Sequence, residues 1–150
     1  MKILDQPKYF RGFALGRIIY EGKVDLALEM LTLYSPEEMD MPKTVYDIYQ
    51  YTMDNAARAH SLELLKKLHE RKLGLCTANA MDTAATIGDL EMVCFLDENR
   101  TEGCSCRAFK KAKKFHHQEI LAYLDANRPQ DKHISAPTQH QPIYMLCTIQ

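Results

Sequence analysis

The run Arg107-Ala108-Phe109-Lys110-Lys111-Ala112-Lys113-Lys114-Phe115-His116-His117 carries five fixed positive charges and no acid. Arg107, Lys110, Lys111, Lys113 and Lys114, interleaved with aromatic rings, form the kind of surface that meets phosphate, nucleic acid or an acidic protein with salt-sensitive affinity. The same run reads as the polar outer side of a terminal structural unit, and the two readings are compatible. Beside it, Cys104-x-Cys106 and His116-His117 supply the atoms of a zinc site, but not the separated Cys and His pairs that structural zinc uses, so no metal is expected. Cys94 has no His at a recurring spacing to activate it and reads as a bystander. Glu37, Glu38 and Asp40 sit in a Pro-flanked acidic stretch, either a solvated loop or a docking point for a basic partner. No glycine-rich phosphate loop, G-x-S-x-G or H-E-x-x-H occurs, and the expectation is a noncatalytic protein without a cofactor.

The elements that hold these residues are set by a repeat. The stretch at 80–104, AMDTAATIGDLEMVCFLDENRTEGC, is echoed 28 residues upstream and 28 downstream. The copies match at Met53/Met81/Phe109, Ala56/Ala84/Ala112, Leu65/Val93/Leu121, Leu68/Leu96/Leu124 and Cys76/Cys104. A period of this length marks stacked supersecondary units, each too small to bury its own apolar face. Within each copy a short helix carries small residues (Ala56-Ala57, Ala84-Ala85), with Thr77 and Ser105 as candidate N-caps. A turn follows at His60-Ser61, Gly88-Asp89 and His117-Gln118. A second helix then runs over 62–68, 90–96 and 118–124, with Glu63, Glu91 and Glu119 in a first turn where the helix dipole favours negative charge.

Taken in order, residues 1–9 read as a polar lead-in. An apolar pattern at Phe10, Phe13, Ala14, Ile18 and Ile19 ends at Gly22, and Gly22-Lys23-Val24-Asp25-Leu26 parallels Gly88-Asp89-Leu90-Glu91-Met92. This is a fourth, degenerate copy whose offset of 38 places about ten extra residues at 35–43, a surface insertion between repeats. The predicted units are residues 10–34, 50–76, 78–104 and 106–128. From Pro129 the period breaks, and 129–150 is expected to be a flexible tail in which the cluster at 143–146 is a possible docking motif. Lys113 replaces the second alanine of the Ala pair and Gln118 replaces Leu62 and Leu90, as suits a unit with no successor.

The formal net charge of -1 exerts no global pull toward nucleic acid or an anionic membrane. Five cysteines, an odd number, argue against a secreted disulfide framework. No apolar run long enough to span a bilayer and no signal-peptide core is read, so the expectation is a soluble monomer of cytoplasm or nucleus.

With Ala80-Met81-Asp82-Thr83-Ala84-Ala85 and Gly88-Asp89-Leu90-Glu91-Met92-Val93 in view, the chain resembles the ankyrin-repeat family in a short-repeat variety. Met81 stands at the family's first Leu, Ala84-Ala85 at its Ala pair, Gly88 at its turn, and Leu90-Glu91-Met92-Val93 in its second helix. Asp54 and Asp82 stand where the family has His, no Thr-Pro opens the first helix, and the period is shorter than the family's usual value of about 33. The resemblance implies an all-α solenoid of about four stacked helix pairs with short loops and stunted inter-repeat fingers. It also implies a protein partner on the concave side and no catalytic residues. The partner positions are expected where the copies differ while their core does not: Asn55/Thr83/Lys111 and Arg58/Thr86/Lys114, one turn apart, with Ile87 beside them. Anion or nucleic-acid binding through Arg107, Lys110, Lys111, Lys113 and Lys114 is the alternative.

Overall fold

The computed structural model describes residues 7–43 and 48–136. Eight α-helices follow in order: α1 (Pro7–Tyr20), α2 (Val24–Leu33), α3 (Thr52–Arg58), α4 (Leu62–Arg71), α5 (Ala78–Ile87), α6 (Leu90–Asn99), α7 (Cys106–Lys114) and α8 (Gln118–Asn127). Among the described residues there is no strand. They form four helix pairs, α1/α2 to α7/α8, joined by turns of three residues in the first, second and fourth pairs and of two residues, Gly88-Asp89, in the third. One residue in every turn is left-handed: Gly22 (φ 74°), His60 (56°), Gly88 (85°) and His116 (61°). These positions are spaced 38, 28 and 28 residues, the offsets read from the sequence, so the backbone repeats where the side chains do. At His60 and His116 the left-handed conformation costs about 1 kcal/mol relative to glycine.

The first helices pack in sequence, α1 on α3, α3 on α5, α5 on α7. Close approach follows from Ala56, Ala57, Ala84, Ala85 and Ala112, all 0% exposed. The second helices lie outside them, where α4 and α6 are joined by Lys66 to Glu91 (3.2 Å) and by the edge of the His69 ring on Phe95. One apolar core runs the length of the stack, from Leu15 and Ile19 through Met53, Leu65, Met81 and Leu96 to Phe109 and Leu124. The N-caps sit where expected: Thr77 Oγ1 accepts from Asn79 N–H (3.1 Å) and Ser105 Oγ from Arg107 N–H (3.2 Å).

A second set of bonds holds neighbouring pairs in register. Asp54 accepts from both the backbone N–H (2.8 Å) and the hydroxyl (2.6 Å) of Thr77, 23 residues on. Asp82 does the same with Ser105, at 2.8 and 2.6 Å. Each carboxylate thus fixes the cap of the next pair's first helix. At the first junction the matching residues are Gly16 and Tyr49, and contact replaces the bond: a Cβ on Gly16 would lie 2.4 Å from the Tyr49 carbonyl oxygen.

Three stretches depart from expectation. Residues 7–9 are helical and belong to α1, so the lead-in is shorter, and residues 1–6 lie outside the described region. The insertion at 35–43 folds back on α1: Met39 is 3% exposed, Asp40 N–H donates to the Lys8 carbonyl (3.0 Å), and only glycine at position 12 leaves room for the Asp40 carbonyl. The flexible stretch predicted from Pro129 is corrected over its first residues. Pro129–His133 is a 3-10 helix, Asp131 is 5% exposed, and Cys106 N–H donates to the Ile134 carbonyl (2.8 Å). The cause is a buried acceptor, since Asp131 Oδ2 receives the Cys104 N–H (3.1 Å). The cluster at 143–146 lies outside the described residues.

Candidate functional site

Helix α7 is strongly one-sided. At about 100° per residue, Ala108, Phe109 and Ala112 take one side and are buried, while Arg107, Lys110, Lys111 and Lys114 fall within about 100° of arc opposite them. Lys113 lies about 60° outside that arc, on the Phe109 side. Lys110, Lys113 and Lys114 are exposed, and Arg107 and Lys111 half-buried. In α3 and α5 the same side is partly covered, because Asp54 and Asp82 reach from it to the next pair; among the described residues no ninth helix follows to receive Lys110. Among the described residues none of these five cations has a carboxylate within ion-pair distance, whereas Arg11, Arg17, Lys23, Lys66, Arg100, Arg128 and Lys132 each have one.

Phe115 completes the face. It caps α7, is 45% exposed, and holds the Lys111 and Lys114 ammonium groups at 5.7 and 5.6 Å from its ring centre. Each cation over an exposed ring contributes about 0.5–1 kcal/mol. Against this stand like-charge neighbours three and four apart, Arg107 with Lys110 and Lys111, and Lys114 with Lys110 and Lys111, each costing about 0.2–0.5 kcal/mol. The helix dipole offsets part of that for Lys111, Lys113 and Lys114 in the last turn, but opposes Arg107 in the first.

The remaining predicted partner positions are not brought together as one exposed column. Asn55 is 7% exposed and its amide donates to the Ile48 carbonyl (3.1 Å), so the expectation that it faces a partner is corrected. Arg58 is exposed but engaged, donating to the Tyr20 carbonyl (2.8 Å) with its guanidinium 4.5 Å from the Tyr20 ring centre; it ties the first pair to the second. Thr86 donates its hydroxyl to the Asp82 carbonyl (2.7 Å), and its own carbonyl lies 3.2 Å from His117 Nε2. Thr83 and Ile87 are half-buried. Thr83, Lys111 and Lys114 are left with no side-chain hydrogen bond or ion pair to another described residue.

The thiols and imidazoles near α7 are turned to structural use. The Cys104 thiol is pushed up to about 12 by burial and by the Asp131 carboxylate 3.7 Å away. Cys76 is likewise held at about 12 by burial and by Asp54. Neither is a thiolate at neutral pH. The His117 ring fills the space beside Gly88, where a Cβ would meet it at 2.7 Å. Among the described residues no three His, Cys, Asp or Glu side chains converge to hold a metal ion. A depression of about 610 Å³ opens between the second and third pairs over Met53 and Leu68, rimmed by His69, Lys72, Asn99 and Arg100. Arg100 is committed there to Glu102.

Sequence reasoning missed the junction carboxylates. Asp54 and Asp82 read as substitutions in a family pattern, yet the recurrence of an acid followed 23 residues later by a hydroxyl was the signal for a bond between units. Among the described residues no helix is long and apolar enough to cross a membrane. Compared with protein-family models, with curated proteins and with solved structures, the chain shows no significant match to any.

Proposed function

We propose that the chain is a noncatalytic protein-interaction module, an ankyrin-like solenoid that presents the exposed side of its first helices to another protein. The observation that carries this is the end of the row: a helix presenting exposed Lys114 and Phe115 beside half-buried Lys111, the two lysines with no carboxylate within ion-pair distance among the described residues. The stack loses little freedom on binding, because the second, third and fourth pairs are pinned to one another through the Asp54–Thr77 and Asp82–Ser105 bonds. Thr83, Lys111 and Lys114 are the contact positions in this reading; Arg58 and Thr86 serve the scaffold. The four described cysteines are unpaired, which fits a monomer working in cytoplasm or nucleus.

The test is affinity capture from the native cell with wild type beside the triple variant Thr83→Glu, Lys111→Glu, Lys114→Glu. A control carrying Lys67→Glu and Lys72→Glu changes charge on the second-helix side. Loss of partners by the triple variant alone, with thermal melting unchanged, is the expected result. Recovery of the same partners by all three proteins removes the reading.

A further inference from the structure

We infer that the partner's contacting segment is an acidic stretch of protein with an apolar side chain set among its carboxylates, seated on the α7 face with that side chain against Phe115. This rests on the interaction-module reading above and names what the surface would hold. The first support is the sign of the face. A terminal unit needs a polar outer side, but a mixture of acids and bases provides one without crowding like charges. Arg107, Lys110, Lys111, Lys113 and Lys114 are instead all cationic; Arg107 feels the Asp82 carboxylate, and among the described residues the four lysines have no carboxylate within ion-pair distance. An external set of carboxylates relieves that repulsion, and no rearrangement of the helix is needed.

The second support is the ring. Phe115 is 45% exposed at the end of the cationic arc, with two ammonium groups held beside it. A purely ionic ligand would leave its apolar surface in water. A Leu or Phe flanked by acids covers it while its neighbours meet Lys111 and Lys114. Tethering to the ring also limits the freedom of those two lysines before any partner arrives, so less is lost on binding.

The extent of the charge decides against nucleic acid. Helix α7 is nine residues, about 14 Å of helix. Of the nineteen Lys and Arg, five lie on it, leaving fourteen against twenty Asp and Glu over the rest of the chain. A long phosphate backbone that outruns this face meets a remainder of the chain with net negative charge, whereas a short acidic segment is matched to the length of α7.

The experiment uses the full chain and fluorescence anisotropy with four probes: a short Asp/Glu peptide with a central Leu, the same peptide with Gly for Leu, the same peptide with Asn/Gln for its acids, and a single-stranded DNA of equal charge. Expected are binding of the acidic Leu peptide at low salt and a loss of at least about tenfold as ionic strength is raised past the point where the Debye length falls below about 8 Å. The Asn/Gln peptide should not bind. Lys111→Gln with Lys114→Gln, which keep helix propensity, should weaken the acidic peptide about tenfold or more. Gly for Leu should weaken binding to wild type several-fold and leave binding to Phe115→Ser unchanged. Full affinity in the Lys111→Gln, Lys114→Gln variant, tighter binding of DNA than of peptide, or lysine-dependent self-association of the chain in sedimentation would each overturn the inference. If the peptide fails while the triple variant still loses its captured partners, the acidic segment is wrong and the interaction module stands.

Discussion

Asp54 shows how much one side chain does in this stack. Burial pushes its carboxyl up to about 6, against the pull of the Thr77 hydroxyl and N–H, with Glu102 and Asp82 adding to the rise. In the unfolded chain an aspartate titrates near 4. Between those values the folded protein binds a proton that the unfolded chain has released. Stability from this source is therefore complete below about pH 4 and is lost as the pH rises through about 6. The difference amounts to about 3 kcal/mol as an order of magnitude. Asp82, buried beside Ser105, is shifted in the same direction. Urea unfolding at pH 5 and pH 7 should show wild type gaining stability at the lower pH relative to Asp54→Asn, which keeps an acceptor for the Thr77 N–H and cannot ionise. Asp54→Ala should cost about 1–3 kcal/mol at pH 5, since it strands the Thr77 N–H and hydroxyl at a half-buried junction. A pH response identical in wild type and Asp54→Asn would show that the carboxyl is not perturbed.

Helix positions were legible in the sequence, and the reason is local. The second helices begin at Leu62, Leu90 and Gln118 as the periodicity predicted, and Thr77 and Ser105 cap the first helices of their pairs, because caps and apolar faces are decided within a few residues of chain. The roles of Asn55 and Arg58 were not legible. Their partners, the Ile48 and Tyr20 carbonyls, belong to the degenerate first copy and to the connection after it, where no repeat register predicts contacts. The basic face of α7 was readable as a run of charge, but its lack of internal counter-ions needed the positions of the acids elsewhere. The turns give a prediction at this scale. His60 occupies a left-handed conformation that Gly22 and Gly88 supply without a side chain, and His60 is exposed. His60→Gly should raise stability by about 0.5–1 kcal/mol, read from the urea midpoint at unchanged slope. A loss instead would mean that the imidazole contributes more than the backbone conformation costs.

For the molecule as a whole, the ends of the stack decide how far its cooperativity reaches. Each pair touches its neighbours and little else, so stability is close to a sum of units and interfaces, and the last unit is held on one side only unless something covers it. Residues 129–136 supply that cover. Asp131 accepts the Cys104 N–H at 3.1 Å, Ile134 accepts the Cys106 N–H at 2.8 Å, and Lys132 stands 5.5 Å from the centre of the Phe109 ring. Arg128 joins the cover to α6 through Asp97, which also accepts from Tyr123 Oη (2.9 Å). Compared with a chain ending at Ala136, truncation after Arg128 should cost about 2–4 kcal/mol, because the Cys104 and Cys106 N–H groups lose their acceptors and Phe109 and Cys104 meet water. Asp131→Ala alone should cost about 1–3 kcal/mol. In a stack of this kind the loss is local. Hydrogen exchange in the shorter protein should accelerate in α7 and α8 well before α3 and α4. Equal acceleration along all four pairs would show that the stack unfolds as one unit and that residues 129–136 stabilise it globally, not by capping its last pair.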